Sequence, residues 1–440
     1  MKSFIFVALL LSGWSYAATV KDREGAVRAD KAAMENDKRW AYNDLESGFR
    51  QAKLTGKPLL VVLRCVPCLS CMGLDSAVLM QGEELAPLLD QFVCVRVINA
   101  NALDLTKFQF DFDLSFSTLF FNGDGTVYGR YGSWTHQKNS ADTTISGYKR
   151  SLEAALKIHA GYPGNKAKLA GKQGAPLPFV NPLDMPNLAG RYQAQLDWDG
   201  KVMQSCIHCH MLGDSLRASY REKKQPIPTE WIYPMPSAET LGLTLAVDPV
   251  AEVTMVAVGS LAEVAGVKTG DQITAVAGQP LVSVADLSWA LHRTEDAVNK
   301  MLEMTVERDG REMPVKLTLP AGWKHGVDNT GRVGAWPMRG MATGGMVLVD
   351  LTDEERQARG LDLHGLALWV KGLGMHGKHA LAKKTGFQKE DVIVECDGLK
   401  ERMTESRLLG HLLQKRLLGD VVEVTFLRGK ERKTLMLPMQ

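Results

Sequence analysis

Ser260-Leu261-Ala262-Glu263-Val264-Ala265-Gly266-Val267-Lys268-Thr269-Gly270-Asp271-Gln272-Ile273, closing in Ala277-Gly278, returns 120 positions on as Ala380-Leu381-Ala382-Lys383-Lys384-Thr385-Gly386-Phe387-Gln388-Lys389-Glu390-Asp391-Val392-Ile393, closing in Asp397-Gly398. Gly266 pairs with Gly386, Asp271 with Asp391, Ile273 with Ile393 and Gly278 with Gly398. Each copy ends in a β-rich tail, Met304-Thr305-Val306-Glu307-Arg308 in the first and Val422-Glu423-Val424-Thr425-Phe426 in the second. Solenoid repeats are shorter than this period, so the pattern points to a duplicated domain of ~90 to 110 residues.

Both copies resemble the PDZ domains of bacterial HtrA-type proteins, on the helix-turn Ser-x-Ala-x-x-Ala-Gly followed by Gly-Asp-x-Ile. The resemblance implies capture of a protein C-terminus: backbone N–H groups hold the carboxylate and the peptide adds as a strand to a sheet edge. In the first copy, expected over residues 237–320, the loop would be Leu241-Gly242-Leu243, where glycine lets the backbone approach the carboxylate. In the second, over 335–440, the equivalent is Gly345-Met346-Val347, and Glu390 replaces the glycine of the Gly-Asp turn. The second copy is therefore expected to be degenerate, keeping its fold without binding peptide. HtrA-type PDZ domains usually follow a serine protease, but no Gly-x-Ser-Gly-Gly or comparable nucleophile loop occurs, so a serine protease is not expected.

Upstream, Lys57-Pro58-Leu59-Leu60-Val61-Val62-Leu63 reads as a buried central strand. It runs into Cys65-Val66-Pro67-Cys68-Leu69-Ser70-Cys71, and Met72 to Leu79 can begin a helix. Strand, Cys-x-x-Cys, helix resembles the thioredoxin arrangement, here expected over 45–160. Leu119-Phe120-Phe121-Asn122-Gly123-Asp124-Gly125, with Arg130 and Gly132, resembles that family's fourth strand and hairpin turn. The resemblance implies that Cys68 attacks from a helix N-terminus, where its pKa is lowered, and that Cys71 resolves the mixed disulfide. Cys65 is extra. The family's cis-proline is missing, since its position reads Phe116-Ser117-Thr118. Three readings stay open: disulfide exchange, a structural disulfide in a non-catalytic fold, and a soft-metal site in which the three thiols bind Cu(I). Cys94 and Cys396 lie in apolar, strand-like surroundings and are expected to be buried and inert.

Between these regions, 161–186 is rich in Gly, Pro, Ala and Lys and reads as a linker. Residues 187–236 carry Cys206-Ile207-His208-Cys209-His210, the c-type haem attachment signature. The chemistry implied is covalent haem c, with Cys206 and Cys209 on the vinyl groups and His210 on the iron. Met235, in Pro234-Met235-Pro236, is the candidate sixth ligand. A plain disulfide or half of a zinc site is the alternative, although no second cysteine pair lies nearby. Gly213-Asp214-Ser215-Leu216 spells an esterase signature by chance, because it directly follows the haem motif.

The N-terminal residues lead to the expectation of a chain outside the cytoplasm. Met1-Lys2, an apolar run from Phe4 to Leu11 and Ser15-Tyr16-Ala17 form the layout of a secretory signal peptide, with cleavage expected after Ala17. The run is too short to span a bilayer, which needs roughly 20 apolar residues. A periplasmic or secreted mature protein without a membrane span is expected. A net charge of +2 with no basic run argues against nucleic-acid binding. The expected whole is multidomain, an α/β thioredoxin-like fold followed by two α+β PDZ domains. Its expected function is periplasmic redox chemistry, combining thiol–disulfide exchange and haem c with PDZ-mediated binding of protein C-termini. The alternatives are a PDZ adaptor with a structural thioredoxin fold, and a Cu(I)-handling protein.

Overall fold

The computed structural model describes residues 22–66, 72–80, 84–248, 250–326 and 328–440. The expected signal peptide and two thiols of the triplet, Cys68 and Cys71, lie outside the described residues.

The first unit is built on strands β1 (Trp40–Tyr42), β2 (Leu59–Arg64), β3 (Val93–Val97), β4 (Phe116–Phe121) and β5 (Val127–Gly132), in the spatial order β1-β3-β2-β4-β5. β1 and β2 run parallel to β3, whereas β4 is antiparallel to β2 and β5 to β4. Every residue of β2 is buried, as its unbroken apolar run requires of a strand covered on both faces. Leu59, Val61 and Leu63 point to one core with Ala52 and Phe121, while Leu60 and Val62 point to the other with Leu74, Val78, Tyr148 and Leu152. Helix Leu45–Thr55 covers the first face, with the Asp44 side chain capping Ser47 N–H. Helices Met72–Met80 and Ile145–Ala160 cover the second. The unit starts earlier than the expected residue 45. β1 is only three residues long, too short for a periodicity to announce it.

The stretch read as a linker is packed rather than loose. Lys172 is fully buried and forms an ion pair with the equally buried Asp286, 114 residues away. Arg130 Nη2 donates to Lys172 O at 2.9 Å. A Gly- and Lys-rich composition resembles a tether, and only the tertiary partner of Lys172 makes the segment a seam.

The two repeat units share one local geometry. In the first, β6 (Leu243–Leu245) pairs with β7 (Val253–Val256), and β8 (Gln272–Val276), β9 (Gln279–Pro280), β10 (Lys300–Arg308) and β11 (Arg311–Leu319) form a sheet in the order β11-β10-β8-β9. In the second, β12 (Met346–Asp350), β13 (Leu368–Leu373), β14 (Val392–Cys396), β15 (Val421–Arg428) and β16 (Glu431–Pro438) make one sheet in sequence order. Asp271 accepts from Lys268 N–H at 2.8 Å and holds Arg308 through Nε and Nη2, at 2.6 and 2.7 Å. Asp391 repeats this with Gln388 N–H and Arg428, all three contacts at 2.8 Å. The repeated aspartate is a turn-locking ion pair. Glu390, in the place of Gly270 (φ 90°), adopts φ 71°.

Candidate functional site

Cys65 follows β2 directly, and its N–H donates to Ser115 O at 2.8 Å, just before β4 begins. Buried charge frames it. Arg64 Nε donates to Asp75 Oδ2 at 2.9 Å, and Arg96 Nη1 on β3 donates to Asp75 Oδ1 at 2.7 Å. Arg96 Nη2 reaches Asp30 at 2.5 Å. Asp75 belongs to the helix after the cysteine triplet, so the ion pair joins the strand before the triplet to the helix after it.

The Cys-Ile-His-Cys-His segment is fastened to the same edge. Asn101, fully buried beyond β3, accepts from Ile207 N–H at 2.7 Å and donates to Ser205 O at 2.7 Å and Gln193 O at 2.7 Å. This brings Cys65 Sγ to 3.2 Å from His208 Nδ1. Leu63, Cys65, Val66, Ile98, Cys206, His208 and Cys209 line one apolar cavity of about 20 Å³. Cys206 Sγ donates to Ile98 O at 3.6 Å. Burial, with Cys65 adding, pushes the Cys206 thiol up to about 12. Burial pushes Cys209 up as well, with Cys65 and Cys206 reinforcing it. Burial holds His208 down to about 4, helped by His210 and Arg23. His208 is therefore neutral at physiological pH and can either accept a hydrogen bond from the Cys65 thiol or donate one to its thiolate.

The described arrangement does not fit a haem. A cavity of about 20 Å³ is the space of a single water, whereas sites for ligands of even drug size need roughly 300 Å³ or more. Cys209 is packed into the core with Ile207 and Leu212, while the His210 ring is 42% exposed and lies 3.5 Å from Asp214. Met235, the expected sixth ligand, lines a different cavity of about 310 Å³ with Trp289 and His292, and that cavity shares no residue with the thiol cavity. The segment acts in the fold as a wedge. Ile207, Leu212 and Leu216 share one core with β2 and with Leu408 and Leu412 of the second repeat.

His208 was not singled out by sequence. It occupies a variable position of the haem signature, and only the tertiary fold puts its ring on Cys65. Cys94 and Cys396 are both buried, and burial pushes each thiol up to about 12. The soft-metal reading depends on Cys68 and Cys71, outside the described residues; among the described residues no group of three or more His, Cys, Asp or Glu side chains is gathered for a metal.

In the first repeat Leu241 and Leu243 are buried, and Gly242 turns between them at φ 84°. A Cβ at Gly242 would overlap Ser260, so the loop needs glycine for its space as well as its dihedral. β6 pairs only with β7, which leaves its other edge without a strand among the described residues. In the second repeat Gly345 (φ 88°) makes the corresponding turn. There the Glu405 carboxylate accepts from Leu348 N–H of β12 at 3.0 Å and from Arg339 Nη2 at 2.6 Å.

Residues 40–123 match the family described as thioredoxin-like, and residues 230–307 match the PDZ domain family. The protein is thus multidomain, with a thioredoxin-like domain at its N-terminal side and a PDZ domain after it. No curated protein matches the chain. Two solved structures of the HtrA-type protease AlgW with a decapeptide, one of them a substituted form, are similar at 16% and 13% identity, each with a TM-score of 0.21. The matches cover 31% and 32% of this chain and 40% and 49% of those chains, so this chain spans less than half the length of either. No helix among the described residues is long and apolar enough to cross a membrane.

Proposed function

We propose that the chain is an exported thiol–disulfide exchange protein whose first PDZ domain holds protein targets by their C-termini. In this reading Cys206 and Cys209 are not haem anchors but a second dithiol that works with the triplet Cys65, Cys68 and Cys71. The observation that carries it is the Cys65–His208 contact at 3.2 Å, in a cavity that Cys206 and Cys209 also line. A thiolate of the triplet attacks a target disulfide, forming a mixed disulfide and expelling one target thiol. A second thiol of the chain then displaces the other target sulfur, so two electrons pass to the target and one disulfide forms in the chain. Cys206 or Cys209 can take over that disulfide by the same exchange, with the displaced thiolate of the triplet reprotonated. Export, supported by residues 1–17, gives this chemistry an oxidising compartment.

Mapping the disulfides of the full chain after mild oxidation tests the reading. A bond joining the 65–71 segment to Cys206 or Cys209 is expected, and Cys→Ser variants of the triplet should trap targets in mixed disulfides. Oxidation that never links the two segments, or a Soret band that survives acid–acetone extraction, overturns it. The adaptor reading is favoured by the high thiol pKa of Cys206, and a full set of variants that trap nothing would select it. Joint binding of one Cu(I) by the triplet would select the metal-handling reading instead. The second repeat is a degenerate PDZ domain in this proposal, supported by Glu405, which occupies the Leu348 N–H that an added strand would seek.

A further inference from the structure

The duplication identifies the groove side of the first PDZ domain. Val284 and Glu405 each follow the N-cap of their helix, Ser283 and Thr404, and Glu405 faces the strand β12 that corresponds to β6. Val284, with Ser288 one turn further along helix Val284–Arg293, therefore lies on the side of the helix toward β6, where a peptide would add. That face is not open. Trp134 of the thioredoxin-like domain lines a small cavity together with Ala285 and Ser288, and it packs on the hydrophobic core of the first repeat.

The loop that presents Trp134 is built around one buried carboxylate. Asp142 Oδ2 accepts from Ser133 Oγ at 2.6 Å, Thr135 N–H at 2.8 Å and Thr135 Oγ1 at 2.7 Å, holding the residues on both sides of the tryptophan. A second contact clamps the far end of β6. Thr144 Oγ1, at the start of helix Ile145–Ala160, donates to Asp248 at 2.6 Å. The back of helix Val284–Arg293 is seated too: Ser283 Oγ donates to Arg130 O at 2.6 Å, and the Arg130 guanidinium lies 3.6 Å from the Trp289 ring centroid.

We propose that Trp134 closes the peptide groove of the first PDZ domain in cis, and that the ligand able to displace it is a protein C-terminus whose last residue is large and apolar. The inference rests on the reading of that groove as a C-terminus site. Trp134 supplies the apolar bulk that such a residue would bring, but a tryptophan side chain carries no carboxylate. A target C-terminus therefore has one contact that Trp134 lacks, the loop at Leu241-Gly242-Leu243. A groove that is open in about one chain in ten binds with about tenfold weaker apparent affinity. Peptide capture would thereby be coupled to release of the thioredoxin-like domain from the PDZ domain.

Titration of the full chain with decapeptides ending in Phe or Leu, as free acids and as amides, tests this. Trp134→Ala should bind the free acids about tenfold more tightly than the parent chain, whereas Trp134→Phe should stay near the parent. Asp248→Ala, on an exposed loop, should shift affinity in the same direction by less and guards against a folding defect in Trp134→Ala. Hydrogen exchange over 243–246 and 283–293 should rise in Trp134→Ala without peptide. Equal affinities for the parent and Trp134→Ala overturn the closure and leave the C-terminus reading standing. If no chain binds any free acid, or acids and amides bind alike, the C-terminus reading fails and the closure falls with it.

Discussion

At the scale of single residues, the site is governed by what burial does to Cys206, Cys209 and His208. His208 is held down to about 4 against an ordinary 6.5. The unfolded chain thus takes up this proton first as pH falls. The linkage slope is positive wherever the unfolded state holds more protons. The contribution of this ring to stability is complete above about pH 6.5 and is lost progressively down to about pH 4. His208→Gln should therefore flatten the pH dependence of unfolding in that window, as measured by denaturant midpoints at half-unit steps. A variant whose slope matches the parent would mean that the ring is solvated rather than packed on Cys65. Cys65 and the cysteines of the pentad are conspicuous in the sequence, but the histidine that meets Cys65 is not. Cys206, Cys209 and His210 fit an attachment signature by spacing alone, and spacing carries no information on which face each side chain is given.

At the scale of elements, β2 was legible because an apolar run buried on both faces needs no alternation. The helix after the triplet was also legible, and it is observed at Met72–Met80. What holds the two in register was not. Arg64, Asp75 and Arg96 are scattered charges in the sequence, whereas in the fold they form a buried network beside Cys65. Asp75→Ala leaves two buried guanidinium groups without this shared carboxylate, and breaking one partner of a buried pair costs about 3–5 kcal/mol. The loss should appear as faster hydrogen exchange in β2, β3 and helix Met72–Met80, with the two repeats unaffected. Unchanged exchange there would show that the network contributes nothing to the geometry around Cys65. The repeated Asp271 and Asp391 illustrate the opposite case. Their recurrence was visible in the sequence, and the structure gives the reason as a carboxylate bonded to a turn N–H and an arginine in both copies.

At the scale of the whole molecule, the units are fastened by buried ions drawn from distant segments. Arg332, between the repeats, donates through Nη2 to Asp111 at 2.6 Å and through Nε to Asp113 at 2.8 Å, both in the thioredoxin-like domain. The Arg332 charge is the main influence holding the Asp111 carboxyl below its usual range despite burial, and His136 adds to it. Arg332→Ala strands two buried carboxylates, at a cost of about 3–5 kcal/mol. It should loosen the junction, seen as a larger radius of gyration in solution scattering and earlier proteolysis near residues 320–335. A variant as compact and as resistant as the parent would mean that the apolar wedge of helix Cys209–Glu222 holds the units by itself.

The sequence by itself determined the kinds of unit and their order. Hydrophobic run length, the Cys-x-x-Cys spacing and a duplicated Gly-Asp turn are local patterns, and local patterns specify local folds. The tertiary structure alone decided which of those patterns meet. It packed the 161–186 stretch as a seam, turned the haem-like pentad against Cys65 in a cavity too small for a porphyrin, and set Trp134 with Ala285 and Ser288 around one small cavity. Each of these outcomes depends on partners more than 100 residues apart, joined by burial and by charge pairing in an interior of low polarity. No single stretch of sequence contains both members of such a pair.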